Sequence, residues 1–383
     1  MPGGGLPCAA APRLPTLFLS LLVLSLLATA SATPQTDADR VVAAWVARLP
    51  ASVRQLPPLL GLPSAQHPFV FHHLRKAGGT TIRRALYDVS RQLQLSAHIP
   101  CHTVACTVYS PPPRDSSPRF AILGGHYHRP TLQRWLGEDG SGASRRAGCL
   151  VMLRSTVDRV RSCWNFRYVQ EPMSFGLQPL APRLHAVDPR ALNASLPTLR
   201  SVHGEGCNNE ALRVLSSVGA DEEAVGRLTA GEEWSPLAVG ALDEALGQLS
   251  QCAVVLLDRC GATMRVIRHW MPWLAAYYDC STQRVQVGTT ARAALSADAE
   301  RIIRTHNALD ERVYAFAVRK LDAQLRLING TLPPAAKRAV SSLPLDERAE
   351  HRPRQGVRVA ASGLRRPSAS VAGSHARAGF RFR

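Results

Sequence analysis

The chain has 383 residues, of which 45% are hydrophobic, and a formal net charge of +18. This length allows one large or two ordinary domains, and the hydrophobic content is enough for a core, which excludes a wholly disordered protein. A positive charge of this size suits nucleic acid, an anionic membrane or an acidic polysaccharide as a partner, and the location of the charges decides among them.

The N-terminal segment is an apolar leader. Residues 14–27 form an apolar run that follows a basic residue, and residues 28–33 are small enough to suit a signal peptidase. The run is short for a membrane-spanning helix, which needs about 20 residues. We therefore expect residues 1–32 to be either a cleaved signal peptide or a signal anchor. In both cases the rest of the chain is lumenal, where the sequons at Asn193 and Asn329 are available for glycosylation.

Residues 33–67 are predicted to be a stem or linker in front of the main domain, which we place at residues 68–330. The segment 41–49 is amphipathic and is followed by prolines. Such a segment is typical of a stem or of an N-terminal helix packed on the core, and the sequence leaves both open.

Nine cysteines are present, one of them in the leader, and no Cys-x-x-Cys pair occurs. The even number that remains in a lumenal chain favours one or more disulfides over a structural zinc site. Cys149 and Cys163 are expected to be buried thiols. The disulfide pairings that the sequence suggests are Cys101 with Cys106 and Cys252 with Cys260.

A phosphate-binding loop is predicted within residues 69–86. An apolar run leads into a Lys-Ala-Gly-Gly-Thr-Thr turn and then into a helix that begins near Thr80. Glycines let the backbone approach an anion, the helix adds its positive end, and the lysine adds a full charge. The Walker loop of ATPases has its lysine after the glycines, whereas here the lysine precedes them, so a nucleotide triphosphatase is disfavoured. The predicted anion-binding residues are Lys76, Ala77, Gly78, Gly79, Thr80 and Thr81.

Two histidines end the next predicted strand, in the segment 119–129. An unperturbed histidine has a pKa of about 6.5, which lets it take a proton from a hydroxyl near neutral pH. His126 and His128 are therefore candidate catalytic bases. Considered alone, each could equally be a structural histidine in a loop.

A second anion site is predicted in the segment 149–162, where an apolar strand, an arginine, a short turn and a helix follow one another. Arg154 ends the strand, and Ser162 lies eight residues further on. A guanidinium fork matches phosphate oxygens, and a serine hydroxyl can donate beside it. Three later segments carry weaker signals: 207–213 is rich in asparagine and arginine, 252–258 reads as a buried strand, and 302–327 as an amphipathic helix.

In this order, the segments from 68 to 327 resemble the Golgi carbohydrate sulfotransferases, which use 3′-phosphoadenosine-5′-phosphosulfate (PAPS) as donor. The resemblance implies that the Lys76 loop binds the 5′-phosphosulfate and that Arg154 and Ser162 bind the 3′-phosphate, although the two residues after Arg154 differ from the family's aspartate and proline. In the heparan sulfate 2-O-sulfotransferases a His-x-His pair supplies the base. The glycine–histidine step aligns best with His126, which ranks it ahead of His128.

The resemblance implies an α/β chain with a P-loop NTPase-like sulfotransferase fold, in which a mostly parallel central sheet carries helices on both faces. It further implies transfer of a sulfuryl group from PAPS, as co-substrate and without a metal, to a carbohydrate hydroxyl. The implied acceptor is an acidic polysaccharide, with no nucleic acid partner. The implied location is the Golgi lumen, with the chain either anchored as a type II membrane protein or secreted after signal cleavage.

Two other functions fit parts of the sequence. A catalytically inactive lumenal protein that binds polyanions or glycans on the same fold is the alternative, and loss of Lys76 or of both histidines would have favoured it. A P-loop kinase requires a Walker loop and a Mg²⁺-binding carboxylate, for which Asp258 is the strand-end acid that we can name.

The C-terminal segment 331–383 is predicted to be a basic disordered tail. From residue 335 onward it contains eleven Lys or Arg and three Asp or Glu, which accounts for 8 of the 18 net charges. It has too few large apolar residues to fold alone. It is expected to be a solvated tail or a tether for a polyanionic glycan.

Overall fold

The computed structural model describes residues 34–56, 61–100, 120–136, 147–166, 184–195, 207–220, 224, 234–281 and 294–331. The predicted leader, the Cys101–Cys106 pairing and nearly all of the basic tail lie outside these residues. Every helix in the described part of the chain is too short or too polar to cross a membrane.

A parallel sheet forms the centre of the fold. Its strands run side by side in the order β2-β3-β1-β4-β5, and all four pairings are parallel. This arrangement confirms the predicted α/β class. All residues of β1, β3, β4 and β5 are buried, as expected when helices cover a parallel sheet. The strands are β1 (Phe69–His73), β2 (Ala97–His98), β3 (Ile122–Gly125), β4 (Gly148–Leu153) and β5 (Ala253–Leu256).

Helices lie around this sheet, and serine side chains cap two of them. Ser235 accepts a hydrogen bond from the backbone of Ala238, and Ser296 accepts one from Ala299, so each satisfies a donor of a first helical turn. The helices are α1 (Pro34–Arg54), α2 (Gly79–Gln92), α3 (Arg129–Leu136), α4 (Thr156–Trp164), α5 (Pro189–Ser195), α6 (Glu210–Leu215), α7 (Pro236–Gln251), α8 (Cys260–Trp270), α9 (Pro272–Ala275), α10 (Ala297–His306) and α11 (Ala308–Thr331).

The strand order defines a crevice at the carboxyl edge of the sheet. After β1 the chain moves to β2, on the far side of β3, whereas after β4 it moves to β5 on the opposite side. The connections that leave β1 and β4 therefore diverge. In open α/β sheets, such a divergence between neighbouring strands is where ligands bind.

The amphipathic segment in front of β1 is a helix that packs on the core. Within α1, the indole N–H of Trp45 donates to Asp243 of α7 at 2.7 Å, and the Ser52 hydroxyl donates to the carbonyl of Ser250 at 3.0 Å. Leu49 of the same helix is buried. Residues 34–54, within the predicted stem, thus form a folded element in contact with α7.

Disulfides are present, as predicted, but the suggested pairing of Cys252 with Cys260 is wrong, and Cys149 and Cys163 are not thiols. Cys252 directly precedes β5, while Cys260 follows it. The four strand residues between them rise by about 3.3 Å each, so the two cysteines lie farther apart than a disulfide can bridge. Neighbouring strands instead bring Cys149 close, with a Cα–Cα distance of 4.7 Å. The bonds in the described residues are Cys149–Cys252, Cys163–Cys207 and Cys260–Cys280.

Two buried polar side chains of α11 bind backbone groups of neighbouring elements. The Gln324 amide accepts from the Val254 N–H at 2.9 Å and donates to the Val254 carbonyl at 2.8 Å, so it replaces a neighbouring strand for β5. Lys320 donates to the carbonyls of Leu249 and Ser250 at the end of α7, and burial lowers the pKa of its amine well below the usual value.

Replacing Gln324 with leucine should lower the free energy of unfolding by about 2–4 kcal/mol, because two buried backbone groups of Val254 lose their partners. Arg326→Leu, at an exposed position of the same helix, is the matched control and should change stability by less than about 0.5 kcal/mol. Urea denaturation measures both variants. Equal losses in the two would show that the amide does not stabilise this edge.

Candidate functional site

The predicted phosphate loop joins β1 to α2. Gly78, directly before the helix, has a φ of +86°, which a residue with a side chain rarely adopts. A Cβ atom on Gly79 would collide with the ring of His73, and one on Gly78 would lie 2.6 Å from a methyl group of Leu257. Both glycines are therefore required by the geometry. They bring the backbone N–H groups of the first turn of α2 close to the carboxyl end of β1.

Lys76 also adopts a left-handed conformation, with a φ of +62°. For a residue with a side chain this costs of the order of 1–3 kcal/mol, and such strain clusters at functional sites. The Lys76 ammonium lies 3.9 Å from the centre of the Phe166 ring, a cation–π contact with a residue two positions after the end of α4.

Arg154 meets this loop from the neighbouring strand. Its Nη1 donates to the carbonyl of Lys76 at 3.2 Å, and its Nη2 lies 3.9 Å from the carboxylate of Asp158. Asp158 also accepts from the Ser155 hydroxyl at 3.0 Å and pairs with Arg161. The structure thus brings together the two predicted anion-binding segments, and it adds Asp158 and Arg161, which sequence reasoning did not assign.

Ser162 is placed further along α4. It follows Ser155 by seven residues, which corresponds to two helical turns and a rise of about 10 Å. A phosphate that touches both Arg154 and Ser162 would therefore have to lie alongside the helix rather than at its first turn.

His126 lies at the end of β3 and contacts the end of β1. Its Nδ1 is 2.7 Å from the His73 carbonyl, which can only accept, so Nδ1 carries the proton and Nε2 has the lone pair. The rings of His73 and His126 stack with centroids 4.0 Å apart. Burial, together with the charges of Arg75 and Arg83, lowers the pKa of His126 to about 3, although Glu210 opposes the shift. His126 is therefore neutral at physiological pH.

His128 lies on the other side of this cluster. Its carbonyl accepts from the backbone of Thr131 and Leu132, at the start of α3. Burial and the charge of Arg213 on α6 lower its pKa to about 4. Of the two candidate bases, His126 is thus the one in contact with the strand that carries the loop, whereas His128 faces α6.

A buried ionic network lies behind the loop, and sequence reasoning missed it. Glu210, at the start of α6, is fully buried and accepts from the Arg75 side chain at 2.7 Å and from Arg159 Nη1 at 3.1 Å. Burial alone would raise the pKa of Glu210, but Arg75, Arg159 and Arg213 outweigh burial and lower it to about 2. The polar segment 207–213, which contains two asparagines, a glutamate and an arginine, was the sequence signal.

The network extends to α11. Arg159 Nη2 donates to Asp310 at 3.2 Å, and Asp310 accepts from the backbone N–H groups of Ala211 and Leu212 in the first turn of α6. Asn307 accepts from the backbone of Asn209 at 2.9 Å. These contacts fix α6 against α11.

Two further features of the described residues do not belong to this site. A cavity of about 690 Å³ lies beside α2 and β2, and none of the predicted site residues lines it. Two groups of potential metal ligands, one at His72 and one at Asp279, each include two cysteines joined in a disulfide, so they offer no thiolate to a metal.

Comparison with known proteins gives no family for this chain. No protein-family model matches it, and no curated protein matches it. The resemblance to sulfotransferases therefore stays an expectation from the sequence motifs.

The buried histidines should make the protein sensitive to acid. A neutral buried histidine binds no proton when folded but binds one when unfolded below a pH of about 6.5, so stability is full above that pH and falls as the pH drops toward the folded pKa. Each such histidine can contribute up to about 1.4 kcal/mol per pH unit. The histidines whose pKa values are lowered most are His72, His73, His126 and His128, and burial also lowers those of the less buried His269 and His306.

Urea denaturation at about pH 7.5 and pH 5.5 measures this effect, and the midpoint should fall markedly at the lower pH. The variant His72→Gln should reduce the fall, whereas His67→Ala, at an exposed position, should leave it unchanged. A midpoint that is the same at both pH values would show that the histidines are not buried in neutral form.

Proposed function

We propose that this chain transfers a sulfuryl group from PAPS to a hydroxyl of a carbohydrate. One observation carries the proposal: three motifs distant in sequence meet at one edge of the sheet. The loop of Lys76 accepts a hydrogen bond from Arg154, and His126 bonds to the carbonyl of His73, directly before the loop. These are an anion cradle, a second phosphate-binding group and a neutral imidazole.

The residues of the loop fit the anionic end of the donor. PAPS supplies the sulfuryl group, and its S–O bond to the 5′-phosphate breaks as a new bond forms to the acceptor oxygen. The N–H groups at the start of α2 and the Lys76 ammonium would stabilise the negative charge that grows on the leaving phosphate. Arg154 would bind the 3′-phosphate, and phosphate oxygens would then replace the Asp158 carboxylate as the ion-pair partner of this arginine.

His126 is the proposed base. Donation from Nδ1 to the His73 carbonyl fixes the ring and its tautomer, so the Nε2 lone pair can take the proton of the acceptor hydroxyl. Burial, together with the charges of Arg75 and Arg83, keeps the ring neutral and therefore able to accept a proton. An anion bound near these arginines offsets their charge, which raises the basicity of the ring once the donor is in place.

Charge and compartment support the acceptor class. The chain is strongly basic, and the edge of the sheet collects arginines, which suits an acidic polysaccharide. The disulfides fit an oxidising compartment and hence a lumenal protein. A Golgi enzyme, anchored or secreted, is consistent with the apolar leader.

Calorimetric titration with 3′-phosphoadenosine-5′-phosphate (PAP), the desulfated donor, tests the donor site, with ATP as the competing ligand. The protein should bind PAP and not ATP. Arg154→Ala should weaken PAP binding by about 10- to 100-fold, because a charged hydrogen-bond donor is lost. Lys76→Ala should remove turnover while the protein stays folded.

The exposed variant Arg326→Ala is the control for loss of a positive charge. Failure of the folded wild-type protein to bind PAP would overturn the proposal and favour a polyanion-binding protein without catalysis. Full turnover by Lys76→Ala would show that the assigned mechanism is wrong.

Substitution of the two histidines tests the base. An asparagine at position 126 can still donate to the His73 carbonyl but has no group in the place of Nε2, so His126→Asn should lower kcat by about 10²- to 10⁴-fold with PAP binding retained. His128→Asn should have a much smaller effect. Comparable activity in both variants would place the base elsewhere. In the wild type, kcat/KM should show no inflection near pH 6.5, because His126 is already neutral there.

A further inference from the structure

We infer that Glu210 is a positioning residue that sets the distance between the Lys76 loop and the Arg154 segment, and this inference rests on the proposed function. Glu210 lies on α6, far in sequence from both anion-binding segments. Its carboxylate nevertheless accepts hydrogen bonds from Arg75, directly before Lys76, and from Arg159, on the helix after Arg154.

One oxygen of Glu210 holds the loop. Oε1 accepts from the backbone N–H of Arg75 at 3.1 Å and from Nε of the same residue at 2.7 Å. These two bonds fix both the peptide plane and the side chain of Arg75. The next residue is Lys76, whose left-handed conformation is unfavourable on its own and persists only where its neighbours are held.

The other oxygen of Glu210 holds the second anion-binding segment. Oε2 accepts from Nη1 of Arg159 on α4 at 3.1 Å, and α4 begins two residues after Arg154. A single rigid carboxylate thus joins the loop after β1 to the helix after β4, across the crevice between these strands.

The position of Glu210 is itself fixed by contacts between α6 and α11. Asp310 binds the N–H groups of Ala211 and Leu212, so the first turn of α6 is anchored to α11. Glu210 is completely buried. A carboxylate that only balanced charge would need no contact with the loop backbone, whereas the bond to the Arg75 N–H is one that sets geometry.

The matched pair of variants is Glu210→Gln and Asp310→Asn. Each removes one buried negative charge next to Arg159, but only Glu210 touches the loop. Glu210→Gln should lower turnover at saturating PAPS by about 100-fold, since small displacements of catalytic groups have effects of this size. Its PAP affinity should fall less, because Arg154 remains. Asp310→Asn keeps one oxygen that can accept from the first turn of α6, so it should lower turnover far less than Glu210→Gln even if its melting temperature drops.

Hydrogen exchange of the loop amides gives a readout that does not depend on activity. In the wild type the Arg75 amide should exchange at least about 100-fold more slowly than in an unstructured peptide, as a buried hydrogen-bonded amide does. Glu210→Gln should speed exchange at residues 75–79, because a neutral amide oxygen accepts from Arg75 more weakly than a carboxylate does, and Asp310→Asn should have a much smaller effect.

Each outcome has a separate meaning. Rapid exchange of the Arg75 amide in the wild type overturns the inference, and this measurement holds even if the Glu210 variant does not fold. Equal losses of turnover in the two variants also overturn it, because they indicate a purely structural network. If the loop amides behave as expected but the wild type binds no PAP, the positioning role stands and the proposed function fails.

Discussion

Burial of arginines beneath the carboxyl edge of the sheet is the constraint on which this structure depends. Arg75 and Arg159 are almost fully enclosed, and a buried charge is tolerated only with a partner of opposite sign. Glu210 and Asp310 supply these partners through charged hydrogen bonds. Loss of one member of such a set costs about 3–5 kcal/mol, because the remaining charge stays buried. Four distant segments of the chain must therefore assemble together or not at all.

The same charges determine the state of the histidines. Burial lowers the pKa values of both His73 and His126, and the nearby charges of Arg75 and Arg83 add to the shift. The imidazoles are therefore neutral, and the edge of the sheet keeps its positive charge on arginines and on Lys76. This division of roles suits chemistry between an anion and a neutral hydroxyl, since the groups that attract the anion differ from the group that accepts a proton.

Local patterns in the sequence predicted much of this fold, because a strand followed by a helix has a local signature. The apolar runs before Lys76, His126 and Arg154 are strands, and all are parallel. What the sequence could not provide were contacts that depend on the order of the strands. Cys252 pairs with Cys149 because β4 and β5 are neighbours, and Glu210 contacts Arg75 because α6 returns to the loop. In each of these two pairs, the partners are more than a hundred residues apart in the sequence.

The order of the strands also determines which groups lie on either side of the Lys76 loop. β1 lies between β3 and β4, so the loop of Lys76 has His126 on one side and Arg154 on the other. Neighbouring strands are about 4.8 Å apart, which sets the ends of β3 and β4 about 10 Å apart with the loop between them. In the proposed reaction the loop binds the phosphosulfate, so this order would put the base on one side of the loop and the group that binds the 3′-phosphate on the other. A strand order with β1 at an edge would leave one of these two groups without a place beside the loop.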